Sequence, residues 1–298
     1  MKNAYITLLS TNNYIYGCIG LMYSWKKTNP KYPFYCVVTE NITEENIRIL
    51  TEIGYHVLRE PLYIPKSYWN ILKSYEETGN YATPVGYSTA DLTKNGWQYG
   101  WSKLHIFKYT QFDKLLYIDS DTYVVQNVDY LFDYPEWSSV CEWENPKNGL
   151  FRLHSGFMLI HPDEKTYSDL LQLAEDNPLI VHPSVNEYQL SNDYDLINLY
   201  LGKWNEDIGY CLPPCTFFDS LRFNTDEENI PILLNSFHQL KIIHLSDTKP
   251  WIGGTSYVAD FGGTWSLWKE LYLLYIKFLN AALQDLYYKN IAALPYIQ

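Results

Sequence analysis

Apolar and polar positions alternate in blocks over the first sixty residues. Tyr5–Leu9 is a short strand-like run, and residues 14–25 carry apolar side chains at helical spacing. Phe34–Thr39 is continuously apolar, a second strand. Thr43 is placed to cap a helix that ends at Ile53, ahead of Gly54, with Ile42, Ile47 and Leu50 on one face. His56–Leu58 is a short third strand. Strands apolar on both faces and separated by helices predict an α/β fold, with a mainly parallel sheet flanked by helices.

Residues 61–100 lose that rhythm and are read as an irregular excursion near the sheet edge, of the kind that forms lids or binding loops. The rhythm returns with an expected helix over 101–112, a buried strand at Lys114–Ile118, a strand at Ser155–Ile160 and a helix at Tyr167–Ala174. A late strand falls at Lys241–Leu245. From Trp265 to Tyr288 a stripe of Leu267, Leu271, Leu274, Phe278, Ala282 and Leu286 predicts one amphipathic helix. The expected organisation is a domain over 1–260 with a C-terminal helical extension over 261–298, packed on it or used for homodimerisation. The paired Gly253-Gly254-Thr255 and Gly262-Gly263-Thr264 read as one flexible loop.

Composition narrows the function. Lys and Arg number 22 against 34 Asp and Glu, a formal charge of −12. That balance argues against nucleic acid as a partner, which needs a basic stripe, and against adsorption to anionic lipid. An anionic small molecule remains compatible, because one lysine and one metal ion reverse the field inside a cleft. The N-terminal stretch reads as a first strand rather than a signal peptide, and no run approaches the ~18 apolar residues of a membrane span. The expected location is cytoplasmic. The five cysteines are scattered, and Cys211 with Cys215 lacks a second pair at zinc-ribbon spacing, so reduced thiols are expected.

The chemistry concentrates after the Lys114–Ile118 strand, in Asp119-Ser120-Asp121. Two carboxylates two residues apart at the C-terminal end of a strand can turn into the crevice where α/β sheets bind ligands. Their oxygens suit a hard divalent cation; the bland alternative is a solvated turn. His244 lies in an apolar strand, where a lone histidine is usually a core residue, yet Ser246 to Lys249 follow at the same sheet edge. Two aspartates and an imidazole make an open site and shift preference from Mg²⁺ toward Mn²⁺. Lys103 and Lys249 are candidate partners for phosphate charge.

Several segments in order resemble the glycogenin-like retaining glycosyltransferases, glycosyltransferase family 8. Thr7 to Tyr14 resembles the family's first-strand nucleotide segment, including Leu8, Ser10, Thr11 and Tyr14. Trp101–His105 through Leu116–Thr122 resembles its helix and Asp-x-Asp block, with Lys103 at the phosphate-contacting lysine and Ser120 between the aspartates. His154-Ser155-Gly156 resembles its Asn-Ser-Gly segment, Asp193 to Asn198 its Asp-Gln-Asp-x-x-Asn block, and His244 to Trp251 its His…Lys-Pro-Trp block. The resemblance implies a Rossmann-like nucleotide-diphospho-sugar transferase fold with Asp119, Asp121 and His244 as manganese ligands. Three positions depart: Tyr194 replaces a glutamine that lies under the sugar, His154 replaces an asparagine, and the loop from His244 to Lys249 is one residue short, with Asp247 near the usual glycine.

The expected activity is transfer of a hexose or N-acetylhexosamine from a UDP-sugar to a hydroxyl of a glycan or protein acceptor. Lys103 and Lys249 would oppose the charge that builds on the leaving diphosphate. Asp193 or Asp195 would steady the oxocarbenium-like sugar, the structural alternative being N-terminal capping of the helix that follows. A sugar-1-phosphate nucleotidyltransferase would want a glycine-rich loop after the first strand, and Ser10–Tyr14 has no glycine. A carbohydrate-binding protein without catalysis would use the aromatics, 17% of the chain, but gives no reason for the acidic and basic set.

Overall fold

The computed structural model describes residues 2–70, 97–145, 150–182, 185–190, 192–202, 204, 210–219, 237–246, 249–253 and 266–297. Its first strands are β1 (Asn3–Leu9), β2 (Phe34–Thr39), β3 (His56–Glu60), β4 (Lys114–Ile118), β5 (Thr122–Val124), β6 (Ser138–Asn145) and β7 (Leu150–Leu153). There follow β8 (Phe157–Ile160), β9 (Leu179–His182), β10 (Val185–Gln189), β11 (Tyr210–Leu212), β12 (Phe217–Asp219) and β13 (Ile242–His244). The main sheet runs β11-β6-β8-β4-β1-β2-β3, with β7 paired to β6. A second sheet runs β12-β13-β5, and β9 pairs β10.

β1 is parallel to both β2 and β4, and β2 to β3. β8 runs antiparallel between β4 and β6. The helices α1 (Ile15–Lys27) and α2 (Glu44–Ile53) cross between the first strands. α2 begins where the sequence places it: the Thr43 hydroxyl accepts from Asn46 N–H, and Gly54 ends the helix at φ 109°, a left-handed conformation open to glycine. Chain connections leave β1 toward β2 on one side and reach β4 on the other. The C-terminal ends of β1 and β4 therefore flank a switch-point crevice, and Ser10–Tyr14 and Asp119–Asp121 follow those two ends.

Two buried clusters hold the layers together. One packs α1, α2 and the C-terminal helix Ser266–Tyr288 on the sheet; the other packs residues 101–112 with the helices Glu164–Asp176 and Asp193–Leu201. Burial at 25 cal/mol per Å² of apolar surface is the main driving term for both.

Several expectations change. Residues 97–108 form 3₁₀ turns rather than an α-helix over 101–112. Buried Trp101, Leu104 and Phe107 recur at intervals of three, the period that stacks side chains in a 3₁₀ helix. The Ser155–Ile160 strand starts at Phe157, because residues 154–156 turn. The C-terminal helix forms; Ala282 and Leu286 of the expected stripe are buried, Leu274 is 60% exposed, the Leu267 and Leu271 side chains lie outside the described residues, and Tyr272, Tyr275, Ile276, Leu279 and Leu283 complete the buried face. Large tyrosines next to the leucine stripe rotate that face, and Tyr275 packs on α1 where Gly20 leaves room. The expected thiols are also corrected: Cys141 and Cys211 form a disulfide. Parallel pairing sets Cys211 beside Ser139 and brings the two Cα atoms to 5.5 Å across 70 residues, a neighbourhood that spacing in sequence does not show. Cys18, Cys36 and Cys215 are free. Of the 61–100 excursion, residues 71–96 lie outside the described residues, as do Asp247 and the glycine pairs from Gly254 onward; 66–70 are helical. Among the described residues no helix is long and apolar enough to cross a membrane.

Candidate active site

The backbone builds the site before any side chain does. After β4 the chain turns through Asp119-Ser120-Asp121 into β5, and Asp119 N–H donates to the Gly156 carbonyl at 2.9 Å. β5 lies antiparallel to β13 with Thr122 opposite His244, and Leu245 N–H donates to the Asp121 carbonyl at 2.9 Å. Two strand ends remote in sequence are thus locked so that Asp119, Asp121 and His244 converge. One ligand atom from each lies within 4.8 Å of the others. His244 Nε2 stands 3.2 Å from Asp121 Oδ1 and 3.9 Å from Asp119 Oδ2. The His154 and Phe217 rings pack on the His244 ring at centroid distances of 5.3 and 5.1 Å.

Close backbone approach makes the pocket tight. A Cβ at Gly156 would stand 2.5 Å from Asp119 Oδ2, and one at Gly17 would stand 2.6 Å from the Ser120 carbonyl. Glycine at these positions lets β8's approach and α1 press against the acidic turn.

Cations surround the carboxylates. Lys103 Nζ lies 3.3 Å from Asp119 Oδ1 and 2.7 Å from Asp193 Oδ2. Lys249 Nζ lies 2.5 Å from Asp121 Oδ2. Burial alone would lower the Lys103 pKa, but Asp119 and Asp193 outweigh it and raise it, so the ammonium stays charged. Burial would raise the Asp121 pKa, yet Lys249 and His244 hold its carboxyl well below the usual carboxylate range.

The other sequence-selected residues fall at the same crevice or on its supports. Leu8 is buried at the end of β1, and Ser10 and Thr11 are half-buried beyond it. The Tyr14 ring meets Trp251 edge-on at 5.5 Å, and burial followed by Asp121 and Asp119 pushes its phenol pKa up. Ser120 is buried. Ser155 Oγ donates to Asp193 Oδ2 at 3.2 Å, and His154 Nδ1 accepts from Gly156 N–H at 3.0 Å. Asp193 and Asp195 both sit in the first turn of their helix, where the cap itself is Asn192, accepting from Asp195 N–H. Asp193 meets Lys103, whereas Asp195 pairs with Arg152 at 2.8 Å, and Tyr194 lies under that guanidinium.

Two contributors escape sequence reasoning. The buried Tyr117 hydroxyl donates to Asp119 Oδ1 at 2.6 Å and orients that carboxylate. Its position one turn of pleat before Asp119 was a legible signal, since i and i+2 share a strand face. Arg152 gives no signal in an isolated run of mixed residues.

Two carboxylates and an imidazole fit a divalent cation that also takes oxygen ligands from outside the protein. The model of the family described as "Glycosyl transferase family 8" matches residues 5–142. Galactinol synthase 2 of Arabidopsis thaliana is 24% identical over 84% of this chain and 73% of its own length. Glycogenin of Komagataella phaffii is 27% identical over 64% of this chain and 47% of its own. Among solved structures, the galactosyltransferase LgtC, in complex with donor and acceptor sugar analogues, superposes with a TM-score of 0.57 at 12% identity, covering 93% of this chain and 95% of that one. The last is a likeness of fold. The family's model over residues 5–142, relatives of 24–27% identity and a fold shared with a solved galactosyltransferase make this chain similar to glycosyl transferase family 8.

Proposed function

We propose that this glycosyltransferase moves a hexose or N-acetylhexosamine from a UDP-sugar to a hydroxyl of a glycan or protein acceptor, with retention at the anomeric carbon. The observation that carries the reading is the convergence of Asp119, Asp121 and His244, within 4.8 Å, beside Lys103, Lys249 and Asp193. Asp119, Asp121 and His244 would hold Mn²⁺, with Mg²⁺ the alternative. When bound, the ion supplies positive charge against the developing diphosphate.

The chain's own residues do the rest. Leu8, Ser10, Thr11 and Tyr14 would line the nucleotide side, at the end of β1. Lys249 and Lys103 would face the phosphate oxygens, Lys249 being already drawn in by Asp121. Ser120, His154, Ser155, Gly156 and Tyr194 would border the sugar. Asp193 would present its carboxylate to the positive charge that builds at the anomeric carbon, steadied meanwhile by Lys103 and Ser155. Asp195, engaged with Arg152, is the weaker candidate for that task. The same reading treats residues 1–260 as the transferase domain and 261–298 as its helical extension.

The test is a screen of UDP-glucose, UDP-galactose, UDP-N-acetylglucosamine and UDP-xylose for UDP release with Mn²⁺, with intact mass read on the protein. Release with one or more donors that EDTA abolishes supports the proposal. Binding of UDP without release from any donor would favour a non-catalytic carbohydrate-binding role.

A further inference from the structure

Beside Asp193 lies a second charged cluster, in which the transfer reading leaves Arg152 without a role. Arg152, in β7, donates from Nη2 to Asp195 Oδ1 at 2.8 Å, and its guanidinium carbon lies 4.1 Å from the Tyr194 ring centroid. Asp195 is buried and Arg152 half-buried, with side-chain exposures of 5% and 14%. One residue on, Leu153 N–H donates to Asn198 Oδ1 at 2.8 Å, and Asn198 Nδ2 donates to the Leu153 and Tyr194 carbonyls at 2.9 Å. With the Ser155 hydroxyl on Asp193, residues 152–155 and the first turn of the Asp193–Leu201 helix form one bonded unit.

We infer that Arg152 is a positioning residue for Asp193. The first turn of a helix has no intrahelical partners for its N–H groups and is the part that frays. Here that turn carries two buried carboxylates, which repel one another and need separate cations. Lys103 serves Asp193 and Arg152 serves Asp195. By holding Asp195 through Nη2 and covering Tyr194, Arg152 fixes the two residues that follow Asp193 and keeps its carboxylate on Lys103. The ring that Arg152 covers is the one standing where the family resemblance expects glutamine, so the guanidinium and the aromatic act together. A lysine at 152 would keep the charge but lose the planar guanidinium and its stack on Tyr194.

The kinetic consequence rests on the proposed transfer reaction; the consequence at Lys103 rests on geometry alone. The experiment compares the full wild-type chain with Arg152→Lys and Arg152→Met. It reads kcat and KM for the UDP-sugar that wild type turns over, and acetic-anhydride labelling of Lys103 by mass spectrometry. Arg152→Lys should melt close to wild type, lose about tenfold to a hundredfold in kcat, hold KM within about twofold, and label Lys103 severalfold faster. Arg152→Met should show the same pattern with a lower melting temperature, having taken the guanidinium charge away from the buried Asp195. Wild-type kcat and labelling in Arg152→Lys would overturn the inference, leaving Arg152 as a charge neutraliser. Loss of UDP affinity in step with kcat would also overturn it. Faster labelling in Arg152→Lys, with no turnover by wild type on any donor, would uphold the positioning role and refute the transfer reading.

Discussion

Gly156→Ala puts a single methyl group against the proposed metal site. Gly156 is not among the residues with positive φ, so alanine meets no backbone penalty there. Its Cβ would stand 2.5 Å from Asp119 Oδ2 and 2.8 Å from His154 Cε1, where ordinary contact begins at 3.4 Å. The carboxylate oxygen or the turn must therefore give by about 0.9 Å. The other oxygen cannot follow freely, because Tyr117 and Lys103 hold Oδ1 at 2.6 and 3.3 Å. Metal sites keep their ligand distances within about 0.2 Å, so the displacement is several times the tolerance. A loss of roughly 10- to 100-fold in Mn²⁺ affinity is expected, the size seen when a ligand's support is removed. That is about 1.4–2.7 kcal/mol. The assay is a Mn²⁺ titration at saturating UDP, read by calorimetry, whose midpoint reports affinity rather than fold stability. A midpoint within twofold of wild type would show that Asp119 Oδ2 is not a ligand or has room to retreat, and would refute the reasoning.

His244→Gln should weaken Mn²⁺ binding in the same titration while the metal-free protein melts near wild type; a core histidine would give the opposite pattern. Asp193→Asn should leave UDP affinity within a few-fold, about 1 kcal/mol or less, while kcat collapses, because the carboxylate's proposed partner is charge developing at the sugar. Gly54→Ala should destabilise the fold by about 1–2 kcal/mol, since the φ of 109° is closed to ordinary side chains, as measured by urea unfolding. Burial lowers the His105 pKa, its ring held between the Tyr167 hydroxyl and the Pro61 carbonyl. The unfolded chain then takes up a proton near pH 6.5 that the folded chain resists, so this contribution is present above about 6.5 and is lost as pH falls below it. His105→Gln should be less stable at pH 7.5 yet lose less stability between pH 7 and 5, measured by urea unfolding at each pH.

Local signals were legible and long-range pairings were not. Thr43, the apolar face of α2 and Gly54 all act within one helix, and the expected limits are those observed. β2 and β4 likewise match their apolar runs. β8, by contrast, reads as one more buried strand, and nothing in Phe157–Ile160 records that it runs antiparallel to β4. The Cys141–Cys211 disulfide is hidden for the same reason, since only the pairing of β6 with β11 makes it a neighbourhood. The C-terminal helix shows a subtler limit: a leucine stripe fixes the period, but bulky Tyr272 and Tyr275 take the buried face and leave Leu274 to solvent. In the site, Asp119 and Asp121 stand out because they end an apolar strand. Arg152 does not, because its role depends on a helix more than forty residues away.

The central claim is that nucleotide and divalent metal meet at Asp119, Asp121 and His244. Its most direct test is the melting temperature of the wild-type chain with UDP, in Mn²⁺ and in EDTA, alongside Asp121→Asn. Ligand at a hundred times its Kd stabilises by about 2.7 kcal/mol, worth roughly 5 °C in a chain of this size. The account predicts a UDP shift of that order in Mn²⁺, little shift in EDTA, and little in either for Asp121→Asn. Equal UDP shifts with and without metal, or an undiminished shift in Asp121→Asn, would contradict it.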